Sequence, residues 1–158
     1  MTKEIYEELI EKEIEELENT SRYEETKEFI QHGETSVYEH SIKVAYLSCE
    51  IAMKYNLKVD YKLLIRGALL HDYFLYDWHD RKAHDGWHGF RHPKRAWENA
   101  KKEFSLTKVE GDIILKHMFP LVPFLPKYKE SWIVCMADKI SATTETVEIL
   151  KRRIAIGM

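Results

Sequence analysis

The chain of 158 residues is 44% hydrophobic and has a net charge of −3, a composition that predicts one folded domain and argues against general nucleic-acid binding. It contains no apolar run of the roughly 18 to 20 residues that a membrane span needs, and its first residues, MTKEIYEELIEKEIEELE, are too acidic for a signal or transit peptide. We therefore expect a single-domain cytoplasmic protein with no membrane partner.

Signals that begin and end helices recur along the chain and predict an all-α fold. Capping boxes begin at Ser21, Ser36 and Thr107, where a hydroxyl and a glutamate three residues later satisfy the first free amides of a helix. Gly33 and Asn56 tolerate the left-handed conformation in which helices often end. The expected helices span residues 3–18, 22–31, 37–55, 61–73, 93–104, 108–118 and 130–151. No alternating strand pattern is present, so we expect a bundle of six to seven helices.

Two long segments between these helices lack helical patterning. Residues 74–92 are rich in His, Trp, Gly and charge, and residues 119–129 contain three prolines. Asp60 is expected to cap the helix that begins at residue 61. Pro93 suits a first helical position, so His92 is expected at an N-cap, facing a cleft. A loop as long as residues 74–92 in a compact domain is more often functional than idle.

Three His-Asp pairs occur, and their surroundings separate them. His71 and Asp72 end the apolar run GALLHD on the buried stripe of a helix, whereas the pairs 79–80 and 84–85 lie in a polar loop. Burying an isolated carboxylate is costly unless a positive charge meets it. The first pair therefore predicts a compensating cation, and the second pair is expected to belong to a cover over the site.

Other potential metal ligands occupy apolar or cleft positions elsewhere. His40 lies on the stripe of its helix, His117 follows two isoleucines, Asp138 stands in SWIVCMADKISA, and His92 precedes Pro93. Each has a structural explanation by itself, such as a hydrogen-bonded core histidine. A divalent cation held by imidazoles and carboxylates explains them together. The two cysteines lack metal-ligand spacing, which favours an open nitrogen- and oxygen-ligated site over a closed structural zinc site.

The order of these residues resembles the HD superfamily of metal-dependent phosphohydrolases, an all-α family with a His, a His-Asp pair and a distant Asp as ligands. The resemblance runs from about Tyr38 to Thr146 and is carried by YEHSIKVA, GALLHD, FRHPKRAWENA, ILKH and MADKISA. It implies a core over residues 36–150, with residues 1–35 forming helices that cover it.

The resemblance also implies a ligand set. His40, His71 and Asp138 would hold one metal, His92 and His117 would hold a second, and Asp72 would bridge them. The ions would be divalent transition metals, with Fe or Mn expected and Co or Zn also able to accept these ligands.

A two-metal site of this kind implies hydrolysis of a small phosphorylated substrate. Residues 81–102 carry seven Lys or Arg and favour an anionic partner. Arg91, Lys94 and Arg95 are the expected phosphate contacts, with Lys94 also a candidate catalytic residue beside Asp72. The leaving group needs an acid, for which the loop histidines 79, 84 and 88 are candidates and His88 is preferred.

Aromatic residues near these segments could stack on a base, which favours a nucleotide substrate, although ordinary core packing also explains them. They are Trp78, Trp87, Phe90, Phe119, Phe124 and Tyr128. The ending ADKI is similar to that of bacterial dinucleoside tetraphosphate hydrolases. An oligomer is possible, with the charged first helices against a partner.

Two other functions remain open at this level. The six-ligand order also resembles the mixed-valence di-iron oxygenases of the same superfamily, such as the inositol oxygenases. A non-catalytic nucleotide or metal sensor would be expected if ligands were missing, and none is.

Overall fold

A computed structural model of the chain describes residues 1–80, 82 and 87–156. Six α-helices run through the described residues, so the expected all-α fold is confirmed. They are α1 Lys3–Thr20, α2 Val37–Lys54, α3 Tyr61–Leu70, α4 His88–Glu103, α5 Lys108–Lys116 and α6 Lys129–Ala155. The predicted third His-Asp pair, His84 and Asp85, lies outside the described residues, as does Arg81.

Helix α2 is the centre of the bundle. It packs against α3 on one side and α6 on another, α5 packs against α3 and α6, and α1 lies over α2 and α3. Gly67 of α3 lies against Ile113 of α5, and a methyl group on Gly67 would overlap the isoleucine side chain. The close approach of α3 and α5 brings the ends of these two helices together.

The helix starts of the core follow the sequence signals. Ser36 and Thr107 form complete capping boxes with the glutamates three residues later. The Asp60 carboxylate accepts the amide hydrogen of Leu63, and Asn56 adopts a left-handed φ of 50° after α2. These predictions are confirmed because each depends on hydrogen bonds within a few residues.

The predicted helix over residues 22–31 is wrong. This segment is a short 3₁₀ helix, Tyr23–Lys27, followed by a two-stranded antiparallel hairpin of Ile30–His32 (β1) and Thr35–Ser36 (β2). The Ser21 hydroxyl donates to the Leu17 carbonyl and accepts from the Tyr23 amide instead of forming a capping box. Gly33, with φ of 59°, makes the turn between the strands and does not end a helix.

The predicted start of α4 at Pro93 is also wrong. The helix begins at His88, so Pro93 lies inside it and His92 is a buried helical residue, not an N-cap. The His88 and His92 rings stack, with centroids 4.5 Å apart. The helix continues through Pro93, although this residue cannot donate a backbone hydrogen bond.

Cys49 and Cys135 are buried free thiols, as expected from their spacing. None of the described helices combines the length and the apolarity needed to cross a bilayer.

Candidate metal centre

Two of the predicted ligands, His71 and His117, occupy the C-caps of α3 and α5. Nδ1 of His71 donates to the Ala68 carbonyl at 2.6 Å, and Nδ1 of His117 donates to the Ile114 carbonyl at 2.8 Å. The last carbonyls of a helix lack partners within it, so each imidazole satisfies one of them. The same contact places the ring hydrogen on Nδ1 and leaves Nε2 as a lone-pair donor directed toward Asp72.

The Asp72 carboxylate divides the site into two sides. Oδ2 lies 3.2 Å from Nε2 of His71 and 3.8 Å from Nε2 of His40, whereas Oδ1 lies 3.1 Å from Nε2 of His92 and 3.3 Å from Nε2 of His117. We call these the Oδ2 side and the Oδ1 side. Each oxygen therefore faces its own pair of imidazole nitrogens.

The Oδ2 side contains a second carboxylate, from α6. Oδ1 of Asp138 lies 2.9 Å from Nε2 of His40 and 3.6 Å from Nε2 of His71. Behind His40, Oε1 of Glu145 lies 3.3 Å from Nδ1. Asp138 and Glu145 are seven residues apart on α6, two helical turns, so both face α2.

The Oδ1 side consists of His92 and His117, whose Nε2 atoms are 2.8 Å apart. Nδ1 of His92 donates to the His88 carbonyl at 3.0 Å, and Nδ1 of His117 is also committed to a carbonyl. Both Nε2 atoms therefore present lone pairs to each other. Such an arrangement requires a positive charge between or beside them, from a proton or a metal ion.

The residues fit a divalent metal. His40, His71, Asp72 and Asp138 offer ligand atoms within 4.8 Å of one another, and so do Asp72, His92 and His117. His71 Nε2 and Asp72 Oδ1 are buried and make no hydrogen bond, as expected of atoms reserved for a cation. The histidines are fixed through Nδ1 by carbonyls or a carboxylate, which is the usual support for metal-binding imidazoles.

The two sides of the centre have different effects on the pKa values of their histidines. Burial lowers the pKa of His40, but its hydrogen bonds to Asp138 and Glu145 outweigh burial and raise the pKa to about 9. Burial likewise opposes the charge on His71, yet neighbouring Asp72 raises its pKa well above the usual range. Burial lowers the pKa of His117 despite its contact with Asp72. The extra carboxylates therefore make the Oδ2 side the stronger attractor of positive charge.

Sequence reasoning missed three polar residues at this centre. The Gln31 amide of β1 donates to Oδ2 of Asp72, and the His32 ring lies edge-on to His40, with centroids 5.3 Å apart. Neither has a sequence signal: Gln31 falls at the end of the predicted helix 22–31, and His32 directly follows it. Glu145 has a signal in retrospect, since it follows Asp138 by two helical turns.

A cavity of about 260 Å³ opens beside the centre. It reaches Asp72, Asp138 and both histidines of the Oδ1 side, while His40 and His71 do not line it. Its lining consists of Gln31, His32, Asp72, Trp78, His88, Gly89, His92, His117, Met118, Pro120, Leu121, Asp138, Lys139 and Ala142. The Oδ1 side is thus the more accessible of the two.

The residues predicted to bind phosphate lie on the exposed surface of α4. Arg91, Lys94 and Arg95 are all exposed, and they are absent from the lining of the described cavity. At about 100° per residue, Arg95 lies about 60° around the helix from His92, whereas Lys94 lies about 160° away. Nζ of Lys94 is 4.0 Å from Oε1 of Glu98. The structure therefore does not bring Lys94 to the metal-binding side chains.

Of the loop histidines, His88 lines the cavity and His79 is exposed. Nδ1 of His79 lies 3.2 Å from Oδ1 of Asp77. Nδ1 of His88 lies 2.7 Å from the Tyr76 hydroxyl, and its ring stacks on Trp78, with centroids 5.0 Å apart. His84 falls outside the described residues.

The aromatic residues expected near a substrate fall into three groups. Trp78 lines the cavity, and its indole N–H donates to the Ile30 carbonyl. Trp87 is 79% exposed and Phe124 is 64% exposed, while Phe90 is about half exposed. Core packing does not account for the positions of these three exposed rings. The other two aromatic residues, Phe119 and Tyr128, contact Trp132 and Lys127 respectively.

A family model described as the HD domain matches residues 37–143 of the chain. The match covers all six predicted metal ligands, whereas Gln31, His32 and Glu145 lie just outside it. Neither the curated proteins nor the solved structures contain a significant match.

Proposed function

The chain belongs to the HD-domain family of metal-dependent hydrolases, and from that premise we propose that it is a two-metal phosphohydrolase acting on a small phosphoester or phosphoanhydride. The observation that carries the proposal is the position of Asp72, whose two oxygens face two separate pairs of imidazole nitrogens. A carboxylate shared in this way suits two ions that act on one phosphoryl group.

In this proposal His40, His71 and Asp138 would hold one ion, His92 and His117 would hold the other, and Asp72 would contribute an oxygen to each set. Divalent metals bound there would supply a water of lowered pKa and polarise a phosphoryl oxygen for in-line displacement. The protein residues keep the ligands in place, because Nδ1 of each histidine is held by an oxygen behind it. The Gln31 amide fixes the orientation of the Asp72 carboxylate.

We assign His88 as the group that protonates the leaving oxygen. It lines the cavity beside His92, and the Tyr76 hydroxyl at Nδ1 restrains its ring. Trp78, whose ring stacks on that of His88, lines the same cavity, and an aromatic ring at the edge of the cavity supports a substrate that contains a base.

Arg95 is the better supported phosphate contact on α4. Its guanidinium lies close enough to Tyr76 to lower that phenol's pKa, which burial raises to about 12. Tyr76 in turn contacts His88, so an anion bound at the cavity mouth would experience the Arg95 charge. Arg91 would act from the next turn of the same exposed face.

The test is an assay of metal-loaded protein with p-nitrophenyl phosphate and with nucleoside mono-, di- and triphosphates, in air and without oxygen. We expect phosphate release that needs added Mn²⁺ or Fe²⁺, that chelation abolishes, and that is unchanged without oxygen. Turnover that requires dioxygen would instead identify a di-iron oxygenase. A stoichiometric complement of metal with no release of phosphate from any of these substrates would contradict hydrolysis.

The role of His88 has its own test. p-Nitrophenolate leaves without protonation, whereas an alkoxide does not. We therefore expect His88→Gln to slow the hydrolysis of an alkyl phosphate or a nucleoside monophosphate far more than that of p-nitrophenyl phosphate. Equal loss on both kinds of substrate would show that His88 supports the site and does not act as the acid.

A further inference from the structure

One surface of the protein is apolar and lies away from the metal centre. It consists of large side chains on α6 that are between 42% and 75% exposed, and we call it the α6 stripe. Its members are Trp132, Met136, Ile140, Val147, Leu150 and Ile154. Together with Thr143, they fall within an arc of about 80° on the helix.

The α6 stripe has the spacing of a helix-pairing seam. From Met136 onward its residues, with Thr143, recur at alternating intervals of four and three, which is the heptad pattern of two packed helices. Asp138 and Glu145 lie on the opposite face of α6 and point into the bundle. One face of α6 therefore contributes side chains to the metal centre, and the opposite face has the residue spacing of a helix that packs against a second helix.

The seam is symmetric about Thr143 to within one residue. Apolar residues stand 3, 7 and 11 positions before Thr143 and 4, 7 and 11 positions after it. If two copies of α6 pack antiparallel about this residue, Trp132 meets Ile154, Met136 meets Leu150, and Ile140 meets Val147. The Thr143 hydroxyl donates to the Lys139 carbonyl within its own helix, so its burial at the axis leaves no unsatisfied donor.

Charge selects the antiparallel arrangement over the parallel one. The C-terminal part of α6 carries Lys151, Arg152 and Arg153 in succession. A parallel pair would place six cations side by side, whereas an antiparallel pair brings each basic end toward the N-terminal end of the other copy's α6. That end carries Lys129 and Glu130, and the Glu130 carboxylate accepts the Asp60 amide, so this end has mixed charge in place of a second run of three cations.

The end of α6 also lacks the packing that stabilises a helix. Residues 150–156 are exposed on every side, and an isolated helical end of this length is only marginally stable in water. The stripe extends over about 33 Å from Trp132 to Ile154, long enough for an interface of three heptads. At its start the Trp132 ring meets Phe119 with centroids 5.5 Å apart, which joins it to the apolar loop at residues 119–126.

We propose that the α6 stripe is the interface of an antiparallel homodimer with a two-fold axis at Thr143. A soluble protein rarely exposes so long a continuous apolar strip, and the self-complementary spacing fits a second copy of this chain. The proposal is independent of the enzymatic function, since it uses none of the metal-binding residues.

Sedimentation velocity of the full chain tests the interface. We expect the wild-type protein to be dimeric at micromolar concentration, and Val147→Lys to raise the dissociation constant by roughly tenfold or more. The matched control is Glu148→Lys, which adds the same side chain about 100° around the helix and should leave the dimer unchanged. A wild-type protein that is monomeric up to about 100 μM, or a dimer insensitive to Val147→Lys, would overturn the proposal.

Cross-linking tests the orientation, with a short bismaleimide and single introduced thiols. Cys49 and Cys135 are buried, so the new thiol dominates the reaction. Thr143→Cys should cross-link between copies, whereas Leu150→Cys should not, because antiparallel packing separates the two copies of residue 150 by about 21 Å. Efficient cross-linking of Leu150→Cys would indicate a parallel pair and contradict the proposed symmetry.

Discussion

The two sides of Asp72 have the same number of histidines but different surroundings. The Oδ2 side has Asp138 in contact with His40, Glu145 behind it, and two histidines that do not line the cavity. The Oδ1 side has two imidazoles that face each other and line the cavity. A deep side with a second carboxylate should hold its cation tightly, while the accessible side, which has only the shared Asp72 carboxylate, should exchange its cation and meet the substrate.

The largest loss of activity is expected from a substitution that disturbs both sides of the metal centre at once. Asp72→Ala takes one ligand from each side, so we expect the loss of both metals and a fall in kcat of more than about 100-fold. Elemental analysis and the phosphatase assay measure the two quantities. The helical circular dichroism signal should remain, because the helices do not depend on this side chain.

Asp80→Ala is the matched control, since Asp80 belongs to the other described His-Asp pair. Its carboxylate is exposed and accepts the Lys82 amide. Metal content and kcat should match those of the wild-type protein. Turnover retained by Asp72→Ala would refute the two-metal centre.

Two further variants each disturb one side of the metal centre, so they measure the metal affinity of the two sides separately. Asp138→Asn removes a charged ligand from the Oδ2 side, and we expect the affinity for the tighter metal to fall by roughly 100-fold. His117→Gln disturbs only the Oδ1 side, so about one tightly bound metal per chain should remain. Isothermal titration calorimetry with Mn²⁺ gives both values. If both variants lost the same ion with the same affinity change, the proposed difference between the sides would be wrong.

The extra carboxylates on the Oδ2 side also predict that the stability of the metal-free protein depends on pH. His40 has a pKa of about 9 in the folded chain and about 6.5 when unfolded. A raised pKa stabilises the fold fully below the unfolded value and ceases to do so as pH rises through the folded value. Between pH of about 6.5 and about 9, the free energy of unfolding should therefore fall by an amount on the order of 3 kcal/mol.

Urea unfolding of chelated protein at a series of pH values measures this slope. His40→Gln should show a clearly smaller slope, because the titrating group is gone. An identical slope in the variant would mean that His40 is not protonated in the metal-free fold.

The smallest expected effect is on substrate binding and comes from substitutions in α4, the helix beside the Oδ1 side. Arg95→Ala should raise KM by roughly fivefold to tenfold with little change in kcat, since a partly screened charge contributes about 1 kcal/mol to binding. Lys94→Ala, at a residue that lies about 160° around the helix from His92, should change neither constant. An unchanged KM for Arg95→Ala would exclude that arginine from phosphate binding, and a large fall in kcat for Lys94→Ala would restore the catalytic role first predicted for it.

How far the sequence predicts the structure depends on the range of the forces involved. The capping boxes at Ser36 and Thr107 were predictable because a cap is a contact between residues three apart. The capping box at Ser21 has the same pattern, yet the Ser21 hydroxyl bonds elsewhere and a hairpin follows. There the hairpin that carries Gln31 to Asp72 prevails over a local helical signal.

The start of α4 shows the same competition. Pro93 favours a helix start, but the helix begins upstream at His88, whose ring stacks on that of His92. His88 lines the cavity. With the helix starting at His88, Arg91 and Arg95 share one face of α4, while Lys94 lies about 160° around the helix from His92.

The sequence by itself determined the all-α fold, most helix starts and the choice of six inward-facing histidine and aspartate residues, because helical periodicity and the cost of burying charge act on neighbouring positions. Only the tertiary structure decided how Asp72 divides its oxygens, which side receives Glu145 and how Gln31 reaches the centre. Those contacts join residues from distant parts of the chain, and their geometry depends on how whole helices pack.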